Sequence, residues 1–271
     1  MDIQFHYEKV TEHIYRILGF GNVCMYFVAG SKKGLLIDTG YGVGDLKEYL
    51  KQSFSVDYDV LLTHGHYDHV GGIYQWESVY LNALDIELCV NSDEERNRAI
   101  AKYLNQSNEN ISVNLPVYTG TFVDIKEGMV FDLGDECVEI IHVPGHTRGS
   151  IALLVNQDRT IILGDACGEF TFFFKPESSS VKQYLDSLEK IKTNSYKFDR
   201  ILRQHGSFES PVSLIDENID VAKEILEGKD DRIEWYTHGQ KVYIAKRMSE
   251  ETHSRSDGKR GNIVYSLEKI D

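Results

Sequence analysis

The chain of 271 residues contains few of the residues that interrupt or cross-link a fold. It has only four prolines, and no stretch rich in proline, glycine or serine breaks it, so a linker is not visible and residues 1–271 are expected to form one large domain. Four cysteines, Cys24, Cys89, Cys137 and Cys167, lie far apart and form no CxxC pair. We expect free thiols that mostly serve as small buried apolar residues.

Long apolar runs and an excess of basic residues are also missing. No window approaches the ~20 apolar residues of a membrane span, and residues 1–9 lack the apolar core of a signal peptide, so a cytoplasmic protein is expected. The 43 acidic and 29 basic residues give a formal net charge of −14, which repels nucleic acid and anionic membranes. A small-molecule substrate is therefore the expected partner, while the oligomeric state stays open.

The chain does contain a dense group of metal-ligand side chains, the segment HGHYDH at residues 64–69, directly after an apolar run. Side chains alternate in an extended segment, so His64 and His66 project to one side and can hold one ion, while a turn can direct Asp68 and His69 toward a second. Zinc accepts imidazole and carboxylate ligands well, with iron and manganese as competitors. The segment predicts a metal site, and the alternative is a histidine-rich surface loop.

The same arrangement recurs along the chain: a short aliphatic run is followed at once, or within a few residues, by a ligand-type residue. Such runs are typical of strands covered on both faces. If these strands share a sheet system, their ends can converge on one rim. The runs at residues 35–37, 60–62, 138–143, 161–163 and 201–202 precede Asp38, His64, His146, Asp165 and His205 respectively.

Seven of these side chains, in their local motifs, resemble the ligand set of the metallo-β-lactamase superfamily. An HxHxDH segment is followed by a GHTxGS turn, then by a GD pair after an aliphatic run, and then by a His-Gly pair. All four motifs occur in the family's order, over roughly residues 10–225. The seven residues are His64, His66, Asp68, His69, His146, Asp165 and His205.

The resemblance implies an α/β fold, a four-layer αββα sandwich with a two-metal cleft at one edge. It implies that Asp165 bridges the ions and that Asp38 supports the ligand loop by hydrogen bonds without binding metal. The ligands implied for the first ion are His64, His66 and His146. Those implied for the second ion are Asp68, His69 and His205.

The chemistry of such a site follows from two cations about 3.5–4 Å apart, which can share a water whose pKa falls from 15.7 toward roughly 7. The resulting hydroxide is the nucleophile, and Asp68 is the candidate catalytic residue that shuttles the proton. Asp165 stands where many zinc β-lactamases of the family carry cysteine, and resembles the aspartate of the glyoxalase, lactonase and phosphodiesterase branches. His66 stands where the redox di-iron branch has glutamate. A β-lactamase is therefore disfavoured and a hydrolytic metal is favoured.

The leading hypothesis is a two-metal hydrolase, with zinc favoured and iron or manganese as alternatives, that acts on a small ester, thioester or lactone. A second hypothesis is a phosphodiesterase or phosphate-ester hydrolase. A third is a mononuclear iron dioxygenase like the persulfide-oxidising branch of the family. A non-catalytic binding module is a fourth reading, and the completeness of the ligand set argues against it.

Two segments outside the ligand motifs have open roles. Residues 84–116 form either a lid over the site or plain scaffold, and residues 228–271 alternate as a C-terminal strand extension whose basic part is a solvated face or a contact for an acidic partner. Aromatic residues near the ligands, Tyr67, Trp76 and residues 170–174, are candidates for a pocket wall or for the core. The histidines expected to lie outside the site are His6, His13, His142, His238 and His253.

Overall fold

The structure is a computed structural model that describes residues 4–105, 111–249, 251 and 254–271. His253 and part of the 84–116 segment therefore lie outside the described residues. Within the described ranges the strands form three β-sheets. Every helix in these ranges falls short of the length and apolarity that a bilayer span demands.

The first sheet has seven strands in sequential order, antiparallel from β1 to β4 and parallel from β4 to β7. Most residues of its central strands are buried, as expected for strands covered on both faces. The strands are β1 His6–Lys9, β2 Ile14–Leu18, β3 Cys24–Ala29, β4 Gly34–Ile37, β5 Tyr58–Leu61, β6 Ser78–Leu81 and β7 Thr121–Asp124.

The second sheet has six strands in the order β14-β13-β11-β10-β9-β8. Its pairs are antiparallel except β11 with β13, which run parallel. The strands are β8 Val130–Asp132, β9 Cys137–His142, β10 Ile151–Val155, β11 Thr160–Ile162, β13 Arg200–Leu202 and β14 Glu209–Ser210.

A third, smaller sheet joins the middle of the chain to its C-terminal part in the order β12-β17-β16-β15. β12 pairs in parallel with β17, while β15, β16 and β17 form an antiparallel meander. The strands are β12 Thr171–Phe173, β15 Ile233–Thr237, β16 Gln240–Ile244 and β17 Ile263–Tyr265.

Helices cover the outer faces of the two large sheets. One apolar core fills the space between these sheets, a second lies between the first sheet and its helices, and a third lies between the second sheet and the last two helices. This confirms the predicted four-layer αββα sandwich. The helices are α1 Leu46–Ser53, α2 Tyr67–Val70, α3 Ile86–Val90, α4 Asp93–Leu104, α5 Val181–Thr193 and α6 Ser213–Leu226.

The helix α5 illustrates how a local sequence pattern specifies a helix. Ser180 caps its N-terminus by accepting a hydrogen bond from the backbone of Gln183, and its buried residues, among them Tyr184 and Leu188, recur three or four residues apart. After the histidine run, the pattern of residues 70–76 is a helical signal that predicts a helix there. The structure instead begins α2 at Tyr67, inside the ligand motif, and has only a short 3₁₀ turn at Ile73–Gln75.

The topology explains why the ligand residues meet. The five predicted aliphatic runs are β4, β5, β9, β11 and β13, and all five strands run in the direction that ends at one edge of the sandwich. The two sheets also touch there, because the backbone N–H of Ile151 donates to Thr63 O and that of Cys24 donates to Gln204 O.

Candidate metal centre

The first group of ligand side chains comes from the loop after β5 and the turn after β9. His64 Nε2 lies 3.1 Å from His66 Nδ1, which in turn lies 2.9 Å from His146 Nε2. All three side chains are buried, and their ligand atoms lie within 4.8 Å of one another. Three ring nitrogens thus face a common point.

The second group combines the single turn of α2 with the loop after β13. His69 Nε2 lies 3.1 Å from His205 Nε2, and Asp68 Oδ2 lies 3.3 Å from the same His205 nitrogen. Their ligand atoms also lie within 4.8 Å of one another. The single helical turn places Asp68 and His69 side by side because it curls the chain immediately after His66.

Asp165 lies between the two groups. Its Oδ1 is 3.6 Å from His69 Nε2, and its Oδ2 is 3.7 Å from His146 Nε2 and 3.4 Å from His205 Nε2. One carboxylate therefore faces nitrogens of both groups, which is the placement that a bridging ligand requires. The structure brings all seven predicted ligand residues to one place.

Asp38 is buried beneath the second group. Its carboxylate accepts hydrogen bonds from the backbone N–H and the hydroxyl of Thr63 (2.7 and 2.9 Å), and from the amide of Gln204 (3.0 Å). Its Oδ2 also lies 2.9 Å from His69 Nδ1. Asp38 adopts a positive φ of 63°, a conformation that non-glycine residues rarely adopt. Its bonds orient His69 and join the edges of both large sheets.

Asp85, which the sequence did not single out, ties the two ligand loops together. Its buried carboxylate accepts hydrogen bonds from the backbone N–H of Gly65 (2.9 Å), the backbone N–H of Gly149 (2.8 Å) and the hydroxyl of Thr147 (2.6 Å). A Cβ at residue 149 would lie 2.6 Å from Asp85 Cγ, so only glycine fits there. No local motif marks Asp85, because its partners are distant in sequence.

Two further residues fix the orientation of the histidines. Thr63 Oγ1 lies 3.0 Å from His64 Nδ1, and Glu177 Oε1 lies 3.0 Å from His66 Nε2. Thr63 Oγ1 donates its proton to Asp38, and the carboxylate of Glu177 can only accept. Each bonded ring nitrogen is therefore assigned the proton, and the other nitrogen presents its lone pair to the common point. Glu177 was also missed from the sequence, since it is 111 residues away from its partner.

A cavity of about 490 Å³ opens beside the ligand groups, within the usual range for small-molecule sites. Besides ligand residues, it is lined by aromatic side chains of residues 170–174 and by Trp235, Thr237 and His238. Of the predicted wall candidates, Tyr67 also lines it. His238 was expected to lie outside the site and instead borders this cavity, whereas His142 bonds to the carbonyl of Arg148.

The two segments with open roles differ in their relation to this cavity. Among described residues between 84 and 116, none lines it, whereas the hairpin of β15 and β16 does. The basic residues of the C-terminal part are largely engaged in ion pairs, for example Lys246 with Glu224 and Lys259 with Asp220. The excess of basic residues there is thus mainly used within the fold.

The comparison with known protein families decides the family. The family model described as "Metallo-beta-lactamase superfamily" matches residues 18–198. This chain belongs to the metallo-β-lactamase superfamily. The matched segment contains six of the seven candidate ligand residues, and His205 lies after its end.

Several relatives of this chain are named as thioesterases. The human acyl-coenzyme A thioesterase MBLAC2 is 26% identical over 204 residues, which cover 67% of this chain and 71% of that protein. The atrochrysone carboxyl ACP thioesterase nsrC of Aspergillus novofumigatus is 23% identical over 169 residues, 58% of this chain and 44% of that protein.

Two solved structures share the fold. The sec-alkyl sulfatase PisA1 matches with a TM-score of 0.64 at 14% identity, over 83% of this chain and 42% of that chain. A metallo-beta-lactamase from Pontibacter korlensis matches with a TM-score of 0.57 at 15% identity, over 81% of this chain and 99% of that chain.

The electrostatics of the first group favour neutral imidazoles. Burial is the main cause that lowers the pKa of His64 well below its ordinary value and that of His146 to about 3, and neighbouring histidines add to the effect. Neutral imidazole is the form that binds metal, so these side chains are ready as ligands at neutral pH.

In the second group, and at Asp165 beside it, the carboxylates stay ionised and attract positive charge. Burial opposes the ionisation of Asp68 and Asp165, but the charges of His69 and His205 outweigh it, so the pKa of Asp68 falls to about 2 and that of Asp165 falls well below its ordinary range. Burial disfavours a charged His205, but Asp165 outweighs it and raises the pKa of His205 to about 10. Carboxylates crowded in this way are stabilised by a cation.

The donor set fits divalent cations on these grounds. Facing ring nitrogens lie 2.9–3.1 Å apart, near the ~3.3 Å between neighbouring ligands of a tetrahedral ion with bonds of about 2 Å. His66 Nδ1 faces two such nitrogens, and three lone pairs directed at one point repel each other unless a cation lies between them.

Proposed function

We propose that this chain is a metal-dependent hydrolase that uses two divalent ions, zinc being favoured, to cleave a thioester or a related small ester or lactone. The observation that carries the proposal is the convergence of seven ligand side chains from four strand ends beside an aromatic cavity. The thioesterase names of the relatives support a thioester among these substrates.

The residues that would hold the first ion are His64, His66 and His146, and those that would hold the second are Asp68, His69 and His205, with Asp165 between them. When bound, such ions lower the pKa of a water and polarise the carbonyl under attack. The chain supplies ordered ligands for them: Thr63, Glu177 and Asp38 hold the histidines by their outer nitrogens.

Asp68 is the proposed proton carrier. It lines the cavity and lies 3.3 Å from His205 Nε2, so its carboxylate borders both the ligand groups and the space for substrate. Its low pKa makes it a weak base. A thiolate is a weakly basic leaving group, since thiols have a pKa near 8.5, and it needs little help from an acid. This balance favours a thioester over an alkyl ester.

The proposal is tested by metal analysis and a substrate panel on protein purified without added metal. We expect about two divalent ions per chain and hydrolysis of acyl thioesters. His66→Ala is expected to lose most of the metal and to reduce kcat/KM more than the 10- to 100-fold that follows from losing an outer partner of a ligand. His6→Ala, on the exposed strand β1, is the matched control and is expected to change neither.

Three outcomes would contradict the proposal. One iron per chain with consumption of oxygen would indicate the mononuclear dioxygenase. Turnover of phosphodiesters alone would indicate the phosphodiesterase. Equal effects of His66→Ala and His6→Ala on metal content would remove the site assignment itself.

A further inference from the structure

The cavity has one apolar wall, whereas its ligand groups are polar. This aromatic wall consists of Phe172 and Phe174 from the β12 segment and Trp235 from β15. The rings of Phe172 and Phe174 are 5.7 Å apart in an edge-to-face arrangement. These three residues therefore give the cavity an apolar wall beside the site of the proposed chemistry.

Strand alternation explains how the wall forms. Along residues 171–174 the side chains of Thr171 and Phe173 point into the core, with Phe173 against Tyr184. Phe172 and Phe174, of which Phe174 is also buried, lie on the opposite side and line the cavity. In β15 the alternation presents Trp235 to the cavity and Tyr236, which is 71% exposed, to the other face.

The wall has its own rigid support. Phe174 packs in a small apolar cluster with Val242 of β16 and Val264 of β17. The side-chain amide of Gln240 donates to the carbonyl of Phe174 at 3.2 Å. The hairpin is thereby fastened to the β12 segment, so the wall is preformed. Trp235 lies beyond residues 18–198, the part that matches the family.

The cations that border the cavity are already engaged. Arg203 is almost buried, and its guanidinium contacts Glu169 at 3.4 Å, Ser207 at 3.2 Å and Ser210 at 2.9 Å. Lys175 lies 3.9 Å from Glu177. A negatively charged acyl group would have to compete with these carboxylates, so the cavity favours an uncharged one.

We propose that the aromatic wall binds an uncharged apolar acyl group and sets the acyl-chain preference of the enzyme, with Trp235 as a specificity-determining residue. The assignment to substrate rests on the proposed function. The acyl end fits better than the thiol end of a pantetheine-type thioester, because pantetheine carries several amide groups and the three wall residues offer a single hydrogen-bonding group, the indole N–H of Trp235.

The first test measures kcat/KM for saturated acyl thioesters of one thiol, from acetyl to dodecanoyl. Burial of a methylene gives about 0.8 kcal/mol, or about fourfold, so kcat/KM is expected to rise by up to about fourfold per methylene until the wall is covered. Trp235→Ala is expected to reduce kcat/KM for decanoyl at least tenfold through KM and to leave the acetyl substrate within twofold.

Tyr236→Ala is the matched control, since it removes an aromatic ring from the same strand on the face away from the cavity. It is expected to leave the whole chain-length profile unchanged, and both variants should keep the metal content of the native protein. If kcat/KM does not change with acyl-chain length, or if both variants lose the same kcat/KM, the proposal that the wall binds the acyl group is wrong.

The second test does not depend on hydrolysis. The chain has two tryptophans, so Trp76→Phe leaves Trp235 as the only one. Decanoate added to the metal-loaded variant is expected to shift the Trp235 emission to the blue, whereas acetate, which offers the same carboxylate, is not. If decanoate causes no shift of the Trp235 emission, the wall does not bind the acyl group, even if thioesters are hydrolysed. A shift without any thioester hydrolysis supports binding at the wall but contradicts the proposed function.

Discussion

At the scale of single residues, the site depends on which nitrogen of each histidine carries the proton. Thr63, Glu177 and Asp38 bind the outer nitrogens of His64, His66 and His69. A carboxylate partner also raises the basicity of a ligand imidazole. The orientation of these candidate ligands is therefore supplied by residues that would not touch a metal.

Glu177 allows this idea to be tested. Burial alone would raise the pKa of its carboxyl, but the bond to His66 outweighs it and lowers the pKa to about 2, so Glu177 is ionised at neutral pH. Glu177→Gln keeps the shape and an acceptor but removes the charge. We expect metal affinity, measured by competition with a chromophoric chelator, to fall about 10- to 100-fold.

The matched control for Glu177→Gln is Glu169→Gln. Glu169 also lines the cavity, but it pairs with Arg203 instead of a ligand histidine. Metal affinity of this control should stay within about twofold of the native protein. A similar loss in both variants would mean that general cavity charge, and not the bond to His66, determines the affinity.

At the scale of elements, the strands of the two large sheets are also joined at the edge far from the ligands. His13, just before β2, lies 2.9 Å from Asp158 in the turn between β10 and β11 and 3.7 Å from the buried Glu136. Glu136 already accepts from the backbone N–H groups of Cys137, Gln157 and Asp158. The cluster is thus a bonded junction between the sheets.

The junction predicts a pH dependence of stability. Burial lowers the pKa of His13, but the bond and charge of Asp158 and the charges of Glu136 and Asp135 outweigh it, so the net pKa is raised. The stabilisation by charged His13 is therefore complete below the unfolded value near 6.5 and is lost as the pH rises through the folded pKa. The loss of unfolding free energy caused by His13→Asn should be larger at pH 5.5 than at pH 8.5.

The measurement for the junction is urea unfolding of native protein and His13→Asn at both pH values, each loaded with metal. Comparing the difference between the two proteins removes the pH dependence of the metal ligands, which both share. An equal difference at the two pH values would show that the charge of His13 contributes nothing to the junction.

At the scale of the whole molecule, the C-terminal strands are integrated with the rest of the chain. β17 pairs with β12 in parallel, and Ile263 and Tyr265 of β17 belong to the same core as Leu214 and Ile215 of α6. We propose on this basis that residues 1–271 form a single cooperative domain, although the family match ends at residue 198.

The two tryptophans can test cooperativity, because Trp76 packs with the core beside the first sheet and Trp235 lies in the third sheet. Trp76→Phe and Trp235→Phe each leave one reporter. Their fluorescence transitions in urea should coincide with each other and with circular dichroism, as expected for two-state unfolding. An earlier transition at Trp235 would show that the C-terminal sheet unfolds separately.

The strands that end in ligand residues were predicted correctly from the sequence, because their aliphatic runs are continuous and the ligand residues follow closely. It did not predict Asp85 or Glu177, since each acts on a partner far away in the chain and neither lies in a periodic pattern. It placed no histidine of the C-terminal part near the site, yet His238 borders the cavity, because a hairpin fastened to β12 brings it there.

The amino-acid sequence by itself determined the strand ends and the ligand-type residues that follow them, because aliphatic runs and ligand spacing are local properties of the chain. The resemblance of these motifs to a family then implied the layered α/β architecture and the set of seven ligands. Only the tertiary structure decided which carboxylates orient those ligands and which rings face the cavity. These depend on the packing of one sheet edge against another, and on strand pairing between β12 and β17 across 92 residues, a separation over which no local pattern carries information.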